Sequence, residues 1–441
     1  MTSNIQQNYK DLHELSKGEL TQYLKDTVKA EDGIIPAYIF SHPRVYELEM
    51  ERIFLKSWLF VAHESEVPNK GDFVTRLVGG HNVIVSHGAD GEIRVLLNVC
   101  THRGMQLCRA DKGNQRSFVC PYHGFNFKNT GELAGVPHEK GVYGDTLNKE
   151  EMGLRKIRYA SYRGLIFATY DDEAEPLEEF LGDAKWYLDI ALGRADMEVV
   201  GLPQKWTVNA NWKLGSDNTI SDSYHTLVSH GSIAKIGLVP KGDYSKYGYQ
   251  IYAGNGHGLN LGMPNPVFAF PEELKDEYKQ NLNEDQFEVL SNLKNLIMCI
   301  SPHMMILVSH TDLKGQPISN TSFRLWQPKG PDQIEITQWQ IVEKNASDDW
   351  KERSRQSNSM TFGVSGIFEQ DDGENLTDIT QNSKGIYHVK ENTVFNYTMG
   401  MHKEPTDEFV GPGVAYIDKF SEANSRAFFA NWLDLITKED K

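Results

Sequence analysis

Two short stretches hold residues with the means for redox chemistry: Cys100-Thr101-His102 and, seventeen residues later, Cys120-Pro121-Tyr122-His123. Two thiolates and two imidazoles make a metal-ligand set. A structural zinc site uses the same four donors, but zinc fingers pair Cys with Cys and His with His along the chain. Here each arm carries one of each. That suits a two-iron cluster with unlike ends, one iron held by the cysteines and the other by the histidines. Gly104 and Gly124 follow the histidines and supply the tight turns such loops need.

A [2Fe–2S] centre with that ligand pattern is of the Rieske type, and Cys100, His102, Cys120 and His123 are expected to bind it. Its electrons need an acceptor. The segment 211–230 contains Asp222, His225 and His230, and far downstream stands Phe368-Glu369-Gln370-Asp371-Asp372. Two histidines and one carboxylate form the facial set of a non-haem Fe(II) oxygenase, with positions left open for O2. Alone, D-x-x-H-x-x-x-x-H is a weak signal; behind a Rieske segment it gains weight. Asp222 and His225 are three apart and share a helix face. His225 and His230 are five apart, so a regular helix would splay them by roughly 140°. For both to reach one iron the helix must bulge or end before His230, as Gly231 allows.

The elements around these residues read as two domains, which the 441-residue length also favours. A helical arm over 1–41 carries Leu12, Leu15, Leu20 and Leu24 at helical spacing and ends near Pro36. Helix-like text follows over 41–58. Strands at 81–87 and 92–100 flank a Gly88–Gly91 turn, and further strands flank the second ligand pair. The small all-β cluster domain is expected over 42–160. The catalytic domain over 161–441 begins with a strand at 164–170, a helix at 176–192 and a strand at 199–209. A charged helical span at 271–296 and strands at 298–309, 321–326 and 333–342 come next. Helices at 347–363 and 421–436 complete it, and the arm is expected to pack on this domain. Strands on short loops with helices in blocks imply an α+β class, an antiparallel sheet covered by helices in a helix-grip-like arrangement.

Composition excludes several functions. A net charge of −16 disfavours nucleic-acid binding. No apolar run reaches membrane-spanning length, and residues 1–10 show no signal-peptide core. Four cysteines, at least two committed to a cluster, fit a reducing cytoplasm. Between residues 100 and 128, Arg103, Arg109, Lys112, Arg116 and Lys128 stand against Asp111 alone, a basic face suited to an acidic electron donor. No G-x-G-x-x-G fingerprint follows a strand, so nicotinamide chemistry belongs to another chain.

With both sites read, the whole chain resembles the large (α) subunit of Rieske non-haem iron aromatic-ring-hydroxylating dioxygenases. The resemblance rests on the four cluster residues, Asn211-Trp212-Lys213, Asp222-Ser223-Tyr224-His225, His230 and 368–375. It implies that His225, His230 and Asp372 ligate the mononuclear iron, with Asp371 structural. It also implies that Asp222 hydrogen-bonds His225 and a cluster histidine, His123, of a neighbouring α subunit, a carboxylate placed to orient both imidazoles. A ring of α subunits follows, commonly with a small β subunit as α3β3, served by a ferredoxin or reductase that draws on NAD(P)H. The implied reaction adds both atoms of O2 to an aromatic ring, giving a cis-dihydrodiol. One departure is Phe125, where the family usually has Trp.

Substrate is read from Asn218, Thr219, Ser223, Thr226 and His303 as polar lining, with Phe362, Phe368, Ile220, Val228 and Met304 as apolar walls. His303 is placed on the strand at 298–309. Hydroxyls add nothing for a plain hydrocarbon, since unpaired polar groups cost affinity. The expected substrate is a small ring with a neutral polar substituent, such as an aniline. The alternatives are an aromatic hydrocarbon or acid, a Rieske monooxygenase or demethylase, and a pure electron-transfer protein.

Overall fold

On strands Asp72–Val78, His81–His87 and Ile93–Leu97 buried valines, isoleucines and leucines pack against one another, as branched side chains do on a pleated surface. The computed structural model to which these strands belong describes residues 12–235, 247–265, 267–313 and 316–438. It divides into two units, one over Phe54–Leu177 and one from the described residues on either side of that segment.

The first unit is all-β in its main framework. Its seven-stranded antiparallel sheet runs Leu59–His63, Leu165–Thr169, Lys156–Tyr162, Ile93–Leu97, His81–His87, Asp72–Val78 and Lys112–Asn114. A three-stranded sheet of Ser117–Val119, Asn126–Lys128 and Leu133–Gly135 holds the second cysteine–histidine arm. The edges differ from the expected 42–160. Residues 161–177 belong here because Leu165–Thr169 pairs with two strands of the sheet and Trp58 Nε1 donates to the Glu175 carbonyl at 2.8 Å. Residues 42–53 belong to the other unit through Glu49, described below.

The second unit is a nine-stranded antiparallel sheet with helices. Met197–Val199 and Gln204–Val208 both pair with Gln333–Glu343; then follow Gln316–Gly330, Met304–Leu313, Asn295–Ile300, Gly258–Gly262, Tyr249–Tyr252 and Val414–Ile417. The expected strand at 298–309 is a hairpin, turned at Ser301-Pro302-His303, where proline cannot donate to a ladder. The charged span at 271–296 breaks into helices Lys275–Asn281 and Glu284–Ser291, the second opened by an Asn283–Gln286 capping box. The segment 176–192 is likewise several short helical pieces, and 199–209 two short strands. Helices Asp348–Thr361 and Ala423–Thr437 lie close to expectation. The arm's helix, Lys17–Thr27, ends well before Pro36; Ile34–Pro36 is a strand paired with Val394–Asn396. Residues 1–11 of the arm lie outside the described residues.

Helix Pro43–Glu49 opens with proline at its first position, which suits the missing N–H. It carries Glu49 into the core. Lys213 Nζ lies 2.5 Å from Glu49 Oε1, and the indoles of Trp212 and Trp432 donate to the two carboxylate oxygens at 2.9 Å. Lys213 and Glu49 are fully buried. Burial pulls the Lys213 pKa down and Glu49 opposes it. Glu49→Ala leaves that ammonium unpaired, so a loss of about 3–5 kcal/mol is expected. Chemical denaturation reads it directly; a wild-type midpoint would refute the pairing as a stabilising contact.

Candidate metal centres

The two cysteine–histidine arms fold as near-copies. Each cysteine carbonyl accepts from the glycine of its own loop, Gly104 at 2.9 Å and Gly124 at 3.0 Å. Each cysteine N–H donates five residues ahead, to Met105 at 2.8 Å and Phe125 at 2.7 Å. Gly104 and Gly124 take φ values of 71° and 72°, which glycine adopts without strain. Cys100 and Cys120 are buried in the core beneath, and burial pushes the Cys100 thiol up. His102 and His123 sit half-buried at the rim, with ring centroids 4.6 Å apart. Phe125, the departure from the family pattern, stacks flat on His102 at 4.6 Å and 7°. Thiols inside and imidazoles at the rim are a donor set that fits a cluster with chemically unlike ends.

The second site forms a triangle. His225 Nε2 lies 3.2 Å from His230 Nε2, and Asp372 Oδ1 lies 3.3 and 3.4 Å from them. With bonds of about 2.1 Å to a shared ion, such separations correspond to angles near 100°. The three atoms would thus hold one face of such an ion. Asp372 Oδ1 is buried and accepts no aligned hydrogen bond, so a cation is the partner this geometry lacks. Burial works against charge on His225, yet contacts with Asp222 and Asp372 outweigh it and hold the imidazole near 10. Burial would raise the Asp372 carboxyl; His225 and His230 instead hold it well below the ordinary carboxylate range.

The ligand residues are not on the helix expected for them. Helix Trp212–Ile220 stops at Ser221; Asp222 is irregular, His225–Leu227 is a 3-10 turn and His230 lies in the turn beyond. The break therefore comes earlier than the five-residue spacing required. Asp222 does two jobs. Its Oδ1 caps the 3-10 turn by accepting from the His225 N–H at 3.0 Å, and its Oδ2 faces His225 Nδ1 at 3.4 Å.

Asp371 is more than structural: its Oδ2 lies 3.2 Å from His230 Nδ1. Each imidazole thus has a carboxylate behind it, the arrangement that fixes tautomer and ring direction at metal sites. The doubled aspartate at 371–372 was the available signal, though it lies 141 positions from His230.

The pocket residues divide. Phe368 packs edge-on to His230 at 4.9 Å and stacks on Phe362 at 4.8 Å, an aromatic wall beside the triangle. Ser223 is buried. Asn218 is half-buried near the end of its helix. Thr219 and Thr226 differ from expectation as polar lining: their hydroxyls donate to the Gly215 and Ser223 carbonyls at 2.8 and 2.7 Å. His303 is not on a strand but in the hairpin turn, buried, with Nε2 3.3 Å from Gln327 Oε1; burial pulls its pKa down to about 4. Ile220 and Met304 are buried, whereas Val228 is 83% exposed.

Buried thiols with rim histidines in one unit, and a two-histidine, one-carboxylate triangle in the other, define an iron–sulfur oxygenase. Comparison with known families agrees. A Rieske [2Fe-2S] domain matches residues 57–150, and the ring hydroxylating alpha subunit (catalytic domain) matches 177–438. The chain is 36% identical over 431 residues to biphenyl 2,3-dioxygenase subunit alpha of Rhodococcus jostii (strain RHA1), covering 95% of this chain and 92% of that one. It is 32% identical over 420 residues to N,N-dimethyl phenylurea N-demethylase subunit alpha of Sphingobium sp. (strain YBL2), covering 91% of each. Naphthalene 1,2-dioxygenase from Rhodococcus sp. superposes with a TM-score of 0.92 at 41% identity, over 96% of this chain and 99% of that one. The chain belongs to the alpha subunits of the Rieske-type aromatic-ring-hydroxylating dioxygenases. Among the described residues no helix is long and apolar enough to cross a membrane.

Proposed function

We propose that this chain is the terminal oxygenase of a multicomponent system. Cys100, His102, Cys120 and His123 hold its [2Fe–2S] cluster, and His225, His230 and Asp372 hold its mononuclear Fe(II). The observation that carries this is the triangle of ligand atoms 3.2–3.4 Å apart in a chain that also has a Rieske domain. When bound, the two metal centres supply single electrons and O2 activation. The net reaction takes an aromatic ring, O2, two electrons and two protons to a cis-dihydrodiol; two C–O bonds form and the O–O bond breaks.

The chain's own residues position the reactants. Asp222 and Asp371 aim His225 and His230. The Phe362–Phe368 stack offers a flat apolar face to a ring. Asp222 also reaches a cluster histidine, His123, of a neighbouring α subunit, so the α chains act as a ring, with small β subunits as α3β3. Arg103, Arg109, Lys112, Arg116 and Lys128 are exposed and, among the described residues, form no ion pair. They face an acidic ferredoxin or reductase, which passes on electrons drawn from NAD(P)H, and opposite fields speed that encounter. The cytoplasm, where NAD(P)H is supplied, is the fitting compartment.

The substrate is a small ring with a neutral polar substituent, an aniline being the best fit. Ser223, which is buried, supports this, since Thr219 and Thr226 spend their hydroxyls on backbone carbonyls. A second reading, mono-oxygenation with N-demethylation, draws on the phenylurea demethylase relative.

The test is turnover of aniline, benzoate, biphenyl and naphthalene by the holoenzyme with its electron donors under ¹⁸O2. Two labelled oxygens in the product support dioxygenation, one supports mono-oxygenation, and formaldehyde released from N,N-dimethylaniline added to the panel would favour the second reading. Aniline should show the highest kcat/KM of the panel; a preference for biphenyl would overturn the polar-substituent assignment.

A further inference from the structure

The turn that presents the aromatic wall and the ligand aspartate is held by a single buried arginine. Arg324, on strand Gln316–Gly330, is 2% exposed, and Glu369, in the first turn of helix Ile367–Ser383, is 5% exposed. Arg324 Nη1 donates to Glu369 Oε2 at 2.5 Å. Its Nη2 donates to the Phe362 carbonyl at 2.9 Å and to Gln338 Oε1 at 2.5 Å. Trp206 Nε1 donates to the other Glu369 oxygen at 3.1 Å. The guanidinium carbon lies 5.6 Å from the Trp206 ring and 5.1 Å from the Trp326 ring.

These contacts fall on both flanks of one turn. Phe362 closes helix Asp348–Thr361, and Glu369 stands next to Phe368 and three residues before Asp372. Gly366, the residue that opens helix Ile367–Ser383, provides no side-chain cap, so the Glu369 carboxylate does the anchoring. Phe362 and Phe368 stack at 4.8 Å and Phe368 meets His230 at 4.9 Å. A guanidinium is suited to this because its planar fork bonds in several directions while its faces lie against aromatic rings. An ammonium would supply charge without that geometry.

We propose that Arg324, acting through Glu369 and the Phe362 carbonyl, is a positioning residue that sets where on a bound ring oxygen is delivered. Neither side chain reaches substrate. They fix the pitch of the Phe362–Phe368 wall relative to the iron ligands, and so which ring carbons lie within reach. A displacement of about 1 Å at the reacting atoms costs up to roughly 100-fold in rate, so a clamp on the wall acts on both product identity and coupling. This rests on the oxygenase reading given above.

The experiment compares the wild-type holoenzyme with its Glu369→Gln, Arg324→Lys and Arg324→Gln variants on biphenyl, whose ring carbons are inequivalent. Cluster absorption and iron content are measured first, then the ratio of regioisomeric products and the peroxide released per O2 consumed. The expected result is intact cluster absorption, a product ratio shifted by about threefold or more, and several-fold more peroxide. Arg324→Gln combined with Glu369→Gln should be little worse than either alone, because the two act as one unit. Wild-type ratios and coupling in all three variants would overturn the proposal. Loss of cluster and iron together in all three would do so too, by making the clamp a requirement of the fold. If the wild type itself, with full iron, oxidises no ring, the oxygenase reading fails and not the clamp.

Discussion

Asp372→Ala protein should purify with its cluster absorption intact, lack the mononuclear iron, and form no ring-oxidation product. Among the described residues Asp372 supplies the only carboxylate oxygen within 3.4 Å of both Nε2 atoms. Without it the site offers two imidazoles and no anionic oxygen donor, a poor site for a hard ferrous ion. Turnover is expected to fall by more than about 1000-fold, equivalent to roughly 4 kcal/mol of barrier. Iron analysis reports on the mononuclear site and visible absorption on the cluster unit, and a wild-type denaturation midpoint separates loss of the ligand from unfolding of the unit that carries Asp372. A variant that keeps its full iron and its activity would remove Asp372 from the ligand set and bring Asp371 forward.

Asp222→Asn should keep both metal centres and still lose turnover, by about 10–100-fold or more, as changes to residues that orient metal ligands do. Asparagine retains an oxygen that can cap the His225–Leu227 turn as Asp222 Oδ1 does at 3.0 Å, so local structure should survive. What is lost is negative charge opposite His225 Nδ1, 3.4 Å from Oδ2. The decisive measurement is the rate at which the reduced cluster is reoxidised on mixing with O2 and substrate. That rate should drop with the variant while chemical reduction of the cluster is unchanged. Wild-type reoxidation would leave Asp222 as a cap alone.

Local chemistry was legible in the sequence and long-range placement was not. Each arm of the cluster site lies within one short loop, so its spacing alone suggested the donor set. His225 and His230 were equally close, but Asp372 comes from a distant helix, and only family resemblance chose it over Asp371. The resemblance gave Asp371 only a structural role, because nothing local says that it backs His230. Thr219 and Thr226 show another limit: residue type reports a hydroxyl but not whether it turns back to a nearby backbone carbonyl. Pro302 was a visible warning that 298–309 is a hairpin, and taking the run as one strand misplaced His303. Arg324 and Glu369 were invisible as a pair, since they meet only when a strand and a helix forty-five positions apart pack together.

The duplicated cluster loops share one backbone but not one backing. A side-chain carbon added at Gly104 would meet nothing within 4 Å, whereas at Gly124 it would strike Pro137 at 2.8 Å. The second loop is therefore backed by Pro137, and the first is tied from its flank instead, where the Thr101 hydroxyl donates to the Met152 carbonyl at 2.8 Å. A side chain at Gly124 would meet both that proline and a left-handed backbone, whereas one at Gly104 would meet the backbone strain alone.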